Sequence, residues 1–94
     1  MKNSVRVEGI IKYVIKREGR PPAFDVRNEI VSVDPPIQAI NDFRVIVPKA
    51  VIGKFRVGDF IRVRGILSNE NWRPGKTGFD SMVIVAREVE YAVR

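Results

Sequence analysis

The 94-residue chain contains no cysteine and no histidine. Without cysteine it forms no disulfide, so a secreted, disulfide-stapled scaffold is excluded. Without either residue, the usual zinc sites and the Ser-His-Asp and Cys-His catalytic arrangements are excluded as well. The eleven acidic residues are scattered singly, so the sequence offers no carboxylate pair for acid–base catalysis. We therefore expect no enzyme, no metal and no cofactor.

Long apolar runs are also missing. No stretch approaches the roughly 18 apolar residues of a membrane span, and the start of the chain lacks the apolar core of a signal peptide. These absences predict a cytoplasmic protein without membrane contact. The length predicts a single domain over residues 1–94.

The charge balance is basic, with 17 Lys and Arg against 11 Asp and Glu and a net charge of +6. A small basic domain of this kind favours a polyanionic partner. The alternative is a solvated surface that is basic without binding anything, since net charge informs about association and not about fold.

Alternation of apolar and polar residues predicts five strands, at 4–17, 23–31, 43–48, 60–68 and 79–93. A turn at 18–22 and a proline-containing break at 34–42 separate the first three. In the first strand, Tyr13 falls on the apolar face and is assigned to the core, and Gly9 suggests a bulge or bend. Segment 49–59 predicts one or two helical turns, with Phe55 in the core.

This element order predicts an all-β OB-fold, a five-stranded barrel with a short helical connector between strands 3 and 4. An SH3-like barrel is the alternative, but its strands are usually shorter and it lacks the connector. Several apolar residues fall on the opposite faces: Ile10, Val14, Phe60, Ile66, Met82 and Ile84. Exposed apolar surface usually marks an interface. Ile66, Met82 and Ile84 are therefore predicted to join barrels into a homodimer or homotetramer.

The stretch NENWRPGKTG (69–78) contains Gly75-Lys76-Thr77, the tripeptide that ends a nucleotide-binding P-loop. A P-loop also needs a glycine five residues earlier and a helix after it, so that backbone N–H groups wrap the phosphates. Here the earlier position is Glu70, and the following residues read as a strand. The stretch is therefore interpreted as the loop between strands 4 and 5.

OB-folds typically bind single strands across strands 2 and 3, between the loops that join strands 1–2 and 4–5. Those loops carry cations and one aromatic ring: Lys16, Arg17 and Arg20 in the first, and Trp72, Arg73 and Lys76 in the second. Cations bind phosphates and rings stack on bases. Arg44 has no obvious partner and is predicted to face the ligand, together with Arg62 and Arg64. The alternatives are a Trp72 that caps the barrel and outer-face pairs of Arg62 and Arg64 with Glu88 or Glu90.

Three stretches resemble bacterial single-stranded DNA-binding proteins: NSVRVEGII (3–11), VGDFIRVRGILSNENW (57–72) and MVIVAREVE (82–90). The primosomal replication protein N branch is at least as similar, because there too the chain ends with the barrel. The resemblance implies a protein that binds single-stranded DNA in replication, recombination or repair, with replication or restart proteins as further partners.

One departure from that family concerns its stacking aromatics, whose places align here with Asp42 and Pro48. Phe43 is expected to substitute if its ring faces outward. Two rival functions remain. One is an OB domain that docks a replication helicase, and the other is an RNA-binding OB module, since contacts to the 2′-hydroxyl cannot be read from sequence.

Overall fold

The computed structural model describes residues 4–33, 36–70 and 81–93. These residues form β1 Val5–Ile15, β2 Ala23–Val33, β3 Pro36–Ile46, α1 Lys49–Ile52, β4 Phe60–Glu70 and β5 Ser81–Tyr91. The strands close into a barrel in the order β1-β2-β3-β5-β4. Only the β3–β5 contact is parallel among the described pairs. The predicted five-stranded OB-fold, with its helical connector between β3 and β4, is confirmed.

The start of β3 differs from the prediction, because the strand begins at Pro36 and not at residue 43. β2 and β3 pair without interruption from Ala23 opposite Ile46 to Val33 opposite Pro36. Proline is tolerated as the first residue of a strand, where its missing N–H costs little. Most of the predicted break at 34–42 is therefore part of a long hairpin.

β1 changes partner along its length. Val5–Ile10 pair with β4, and Ile10–Ile15 pair with β2. At Gly9 an added Cβ would collide with the carbonyl of Arg27 and the side chain of Val26. Only glycine lets β2 come this close, so Gly9 permits the crossing from one neighbour to the other.

A bulge at Lys12 reverses the faces of β1. The register steps from Ile11 opposite Val26 to Tyr13 opposite Asp25, which leaves Lys12 as the extra residue. Val14 then packs against the core, whereas the Tyr13 side chain is 65% exposed. Both assignments made from strict alternation are wrong: Tyr13 is a surface residue and Val14 an inward one.

A second bulge lies in β5. Arg64 pairs with Glu88 and Gly65 with Ala86, so Arg87 is the extra residue. Ile84 and Ala86 consequently join the interior cluster, and Ile84 is only 2% exposed. The expectation that Ile84 is an exposed contact between barrels is therefore wrong. Met82 is 56% exposed and Ile66 is half-buried, which leaves those two residues accessible.

The connector closes one end of the barrel. The Phe55 ring lies in the interior cluster and meets Phe24 edge-on, with 6.1 Å between the two ring centroids. The centroids of the Phe55 and Tyr91 rings are 4.8 Å apart. The turn after it is tied to β1, because Gly58 N–H donates to the Ile11 carbonyl at 2.8 Å. Gly58 has a φ of 97°, which suits glycine. The predicted core position of Phe55 is confirmed.

Candidate nucleic-acid interface

The outer face of β1, β2 and β3 carries two rows of side chains in register. One row joins Tyr13, Asp25 and Arg44, and the other joins Ile10, Arg27 and Asp42. We call these six residues the β1–β3 face. It is the surface across which OB-folds typically bind single strands, and the Lys12 bulge places an exposed ring on it.

The sequence did not reveal Tyr13 as a surface residue, because apolar side chains occupy both phases of IIKYVI (10–15). Periodicity cannot position a bulge in such a stretch. The only local signal is Lys12 itself, a charged residue that a bulge can direct to solvent.

Both arginines of the β1–β3 face form bidentate ion pairs, or forks, with aspartates. Arg44 donates from Nε and Nη2 to the two carboxylate oxygens of Asp25, at 3.0 and 3.2 Å. Arg27 donates in the same way to Asp42, at 2.9 and 3.3 Å. Such parallel pairs are the strong geometry for an arginine and a carboxylate. The expectation that Arg44 lacks a partner is therefore wrong, since strand register brings Asp25 directly opposite it.

These pairs compensate the charge of the face. The hydrogen bond from Arg27, followed by its positive charge, lowers the pKa of Asp42 below its ordinary value. The carboxylate therefore stays ionised under mildly acidic conditions, and the pair persists there. Phosphates approaching the β1–β3 face therefore meet arginines that each share two of their five N–H donors with an aspartate.

A groove continues the face toward β4. It encloses about 420 Å³ and is lined by Ile10, Lys12, Arg27 and Phe60, among others. Phe60 is half-buried, and Lys12 is exposed. The Phe60 ring and the exposed Lys12 are the kinds of group that bind single-stranded nucleic acid. Glu29 in the same lining and the pairing of Arg27 with Asp42 reduce the positive charge of the groove. Sequence reasoning did not select Lys12 for this site, and it assigned Phe60 only to exposed apolar surface.

The β1–β2 turn lies at the other end of the face. Arg17 donates from Nε and Nη2 to the Pro21 carbonyl at 3.0 and 2.7 Å, so its guanidinium braces the turn. Lys16 is exposed and Arg20 is half-buried. Of these three predicted contacts, Lys16 offers the most accessible charge.

Two further predicted residues occupy other surroundings. Phe43 lies opposite Val26 and packs against the interior cluster, so its ring faces inward and the condition for its stacking role is not met. Arg62 donates to Glu90 at 3.1 Å, and its Nε lies 3.5 Å from Glu8. The hydrogen bond to Glu90 and the charge of Glu8 raise the pKa of Arg62. The alternative in which Arg62 pairs on the sheet is thus confirmed.

The remaining predicted contacts lie elsewhere. Arg64 is exposed and faces the outer surface of β1, β4 and β5. Trp72, Arg73 and Lys76 lie outside the described residues, so their predicted contacts and the alternative cap by Trp72 stay predictions.

The fold is shared with known single-stranded DNA-binding proteins. The chain is similar to a small single-stranded DNA-binding protein from Streptomyces coelicolor, with a TM-score of 0.67 and 17% identity, over 99% of this chain and 95% of the other. It is also similar to a Plasmodium falciparum SSB in complex with ssDNA, with a TM-score of 0.74 and 14% identity, over 99% and 96%. No protein-family model and no curated protein matches the sequence. At these identities the likeness establishes the common barrel.

The described part of the chain offers no helix with the length and apolar character that crossing a bilayer requires.

Proposed function

We propose that this protein binds single-stranded DNA across the β1–β3 face, with little sequence preference and without catalysis. The observation that carries the proposal is the exposed Tyr13 ring, in register with the Asp25–Arg44 pair on this surface. A ring stacks on any base, and arginines contact any phosphate, so neither contact reads sequence. The shared fold with proteins whose ligand is single-stranded DNA supports the choice.

Binding begins with electrostatic capture in this proposal. The net charge of +6 raises the local concentration of a polyanion, and accessible cations such as Lys12 and Lys16 meet its phosphates. Base stacking on Tyr13 follows. The contacts that the sequence predicts for Trp72, Arg73 and Lys76 are part of the same proposal. We propose that the protein acts in the cytoplasm in DNA replication, recombination or repair, including assembly of the primosome.

The test compares dT, rU and duplex DNA of one length at two salt concentrations, by fluorescence anisotropy. We expect dT to bind about tenfold or more tighter than duplex, because bases stack on a ring only when they are unpaired. Affinity should fall steeply with salt as counterions are released. Equal affinity for duplex would contradict the proposal. Tighter binding of rU would identify an RNA-binding module, and no binding with either oligomer would favour a protein-docking domain.

We also propose that two barrels associate through the β4–β5 hairpin, where the register puts Met82, which is exposed, and Ile66, which is half-buried, on opposite faces. Exposed apolar side chains on a sheet favour such contacts. Sedimentation at roughly tens of micromolar, a range suited to transient interfaces, should show a dimer or tetramer, and Met82→Lys should shift it to the monomer. A wild-type monomer under these conditions would exclude the contact.

A further inference from the structure

Three arginines meet on the outer face of β1, β4 and β5, away from the β1–β3 face. Arg6 of β1 lies directly opposite Arg64 of β4. Arg87 is the bulged residue of β5 beside that pair. Together they line a groove of about 410 Å³, which also includes Ser4 and Glu88. We call Arg6, Arg64 and Arg87 with this cavity the arginine groove.

The three guanidinium groups are exposed and make no hydrogen bond or ion pair with other side chains in residues 4–33, 36–70 and 81–93. The neighbouring row of the same sheet is different, since Arg62 lies between Glu8 and Glu90 and contacts both. Glu88 is the one acidic residue that lines the arginine groove in the described part of the chain. Three arginines and one carboxylate leave a local charge of +2. Its positive charge is thus available to an outside ligand.

Arg6 and Arg64 repel each other across the β1–β4 pair, and Glu88, which lies opposite Arg64 on β5, offsets only part of that repulsion. Like charges placed directly opposite on neighbouring strands repel each other and destabilise the pair. An anion seated between Arg6 and Arg64 would remove that repulsion. Guanidinium groups present planar pairs of donors that match phosphate oxygens, so phosphate is the anion this groove suits best.

A second copy of the chain is a poor occupant. Docking this face on itself about a twofold axis would bring three arginines against three arginines, which costs affinity. A chain of phosphates is complementary to it. β1 connects the two surfaces, because Arg6 and Tyr13 are seven residues apart on this strand, at most about 23 Å.

We infer that the arginine groove binds the phosphate backbone of the same single strand that crosses the β1–β3 face, and so extends the bound length around the barrel. This inference rests on the proposed function. It assigns Arg6 and Arg87 as contacts that sequence reasoning did not select, and it gives Arg64 its place among them.

The test compares two double variants with equal net charge. Arg6→Gln/Arg87→Gln removes two charges from the arginine groove, and Lys49→Gln/Arg56→Gln removes two exposed charges around the connector. Both change the net charge from +6 to +4 by the loss of two cations. With dT of about 30 nucleotides, longer than the roughly 4–16 that one OB-fold covers, the groove variant should flatten the slope of log affinity against log salt by about 1.4, at 0.7 per phosphate contact. The connector variant should leave the slope nearly unchanged.

Equal slopes for the two variants would overturn the inference. Thermal melting checks folding, and the groove variant should melt no earlier than wild type, because it relieves the repulsion between Arg6 and Arg64.

A dT titration of ¹⁵N-labelled wild type separates the two proposals. Amide shifts at Gly65 and Glu88 together with shifts at Tyr13 support both. Shifts at Tyr13 alone overturn the arginine groove and leave the proposed function standing. Shifts at Gly65 and Glu88 alone refute the β1–β3 face and, with it, the path of one strand over both surfaces. An unchanged spectrum refutes both.

Discussion

Replacing Tyr13 with alanine is expected to weaken dT binding by about 1–3 kcal/mol, the loss that removal of one stacking ring typically causes. This corresponds to roughly 5-fold to 150-fold in the dissociation constant. The slope of log affinity against log salt should stay close to that of wild type, because a ring displaces no counterions. Fluorescence anisotropy with dT at about 50 and 200 mM salt measures both quantities.

Two variants control this experiment. Tyr13→Phe keeps the ring and should retain most of the affinity. Tyr91→Ala removes a similarly exposed tyrosine that packs on Phe55 and donates to the Lys54 carbonyl at 2.9 Å. It should lower the melting temperature and leave dT affinity unchanged. If Tyr13→Ala binds dT normally, or if its defect follows a lost fold, Tyr13 is not a stacking residue.

The barrel could be predicted from sequence because its signal is spread over the whole chain. Five alternating segments, a glycine-punctuated connector and Gly58 before β4 all indicate the same topology. The positions of Tyr13 and Ile84 could not be predicted, since each depends on a single bulge. One extra residue, Lys12 or Arg87, reverses every side chain beyond it, and both flanking stretches have apolar residues in both phases.

Side-chain ion pairs between neighbouring strands could not be predicted from the sequence either. Arg44 and Asp25 are 19 residues apart, and only the register of β2 with β3 makes them neighbours. The same register places the Phe43 ring over the core. A shift by one residue would have exposed Phe43 and separated Arg44 from Asp25, so the charge of a candidate binding face cannot be summed from its cations alone.

This pairing limits how strongly the β1–β3 face attracts phosphates. Asp25 and Asp42 each hold both donor positions of an arginine fork that a phosphate would otherwise use. Mild acidification does not release Arg27, because the hydrogen bond and the charge of this arginine lower the pKa of Asp42. Substitution of the carboxylates is the direct way to expose the arginines, and it keeps the rest of the face intact.

We expect Asp25→Asn/Asp42→Asn to bind dT more tightly than wild type. Each released arginine adds up to one phosphate contact, so the salt slope should steepen by up to about 0.7 per site, or about 1.4 in the double variant. If the variant and wild type bind dT equally at 1 M salt, this difference in slope makes the variant bind roughly 60-fold tighter than wild type at 50 mM salt. Asparagine is close in size to aspartate and both pairs are partly exposed, so the melting temperature should change little.

Glu18→Gln is the matched single control, because Glu18 is an exposed carboxylate of the β1–β2 turn and releases no fork. It raises the net charge by one, as Asp25→Asn does, and should leave the slope nearly unchanged. If Glu18→Gln steepens the slope as much as Asp25→Asn, overall charge and not the arginines of the β1–β3 face governs binding. If Asp25→Asn/Asp42→Asn weakens binding, the forks serve instead to hold Arg27 and Arg44 in the geometry that the strand requires.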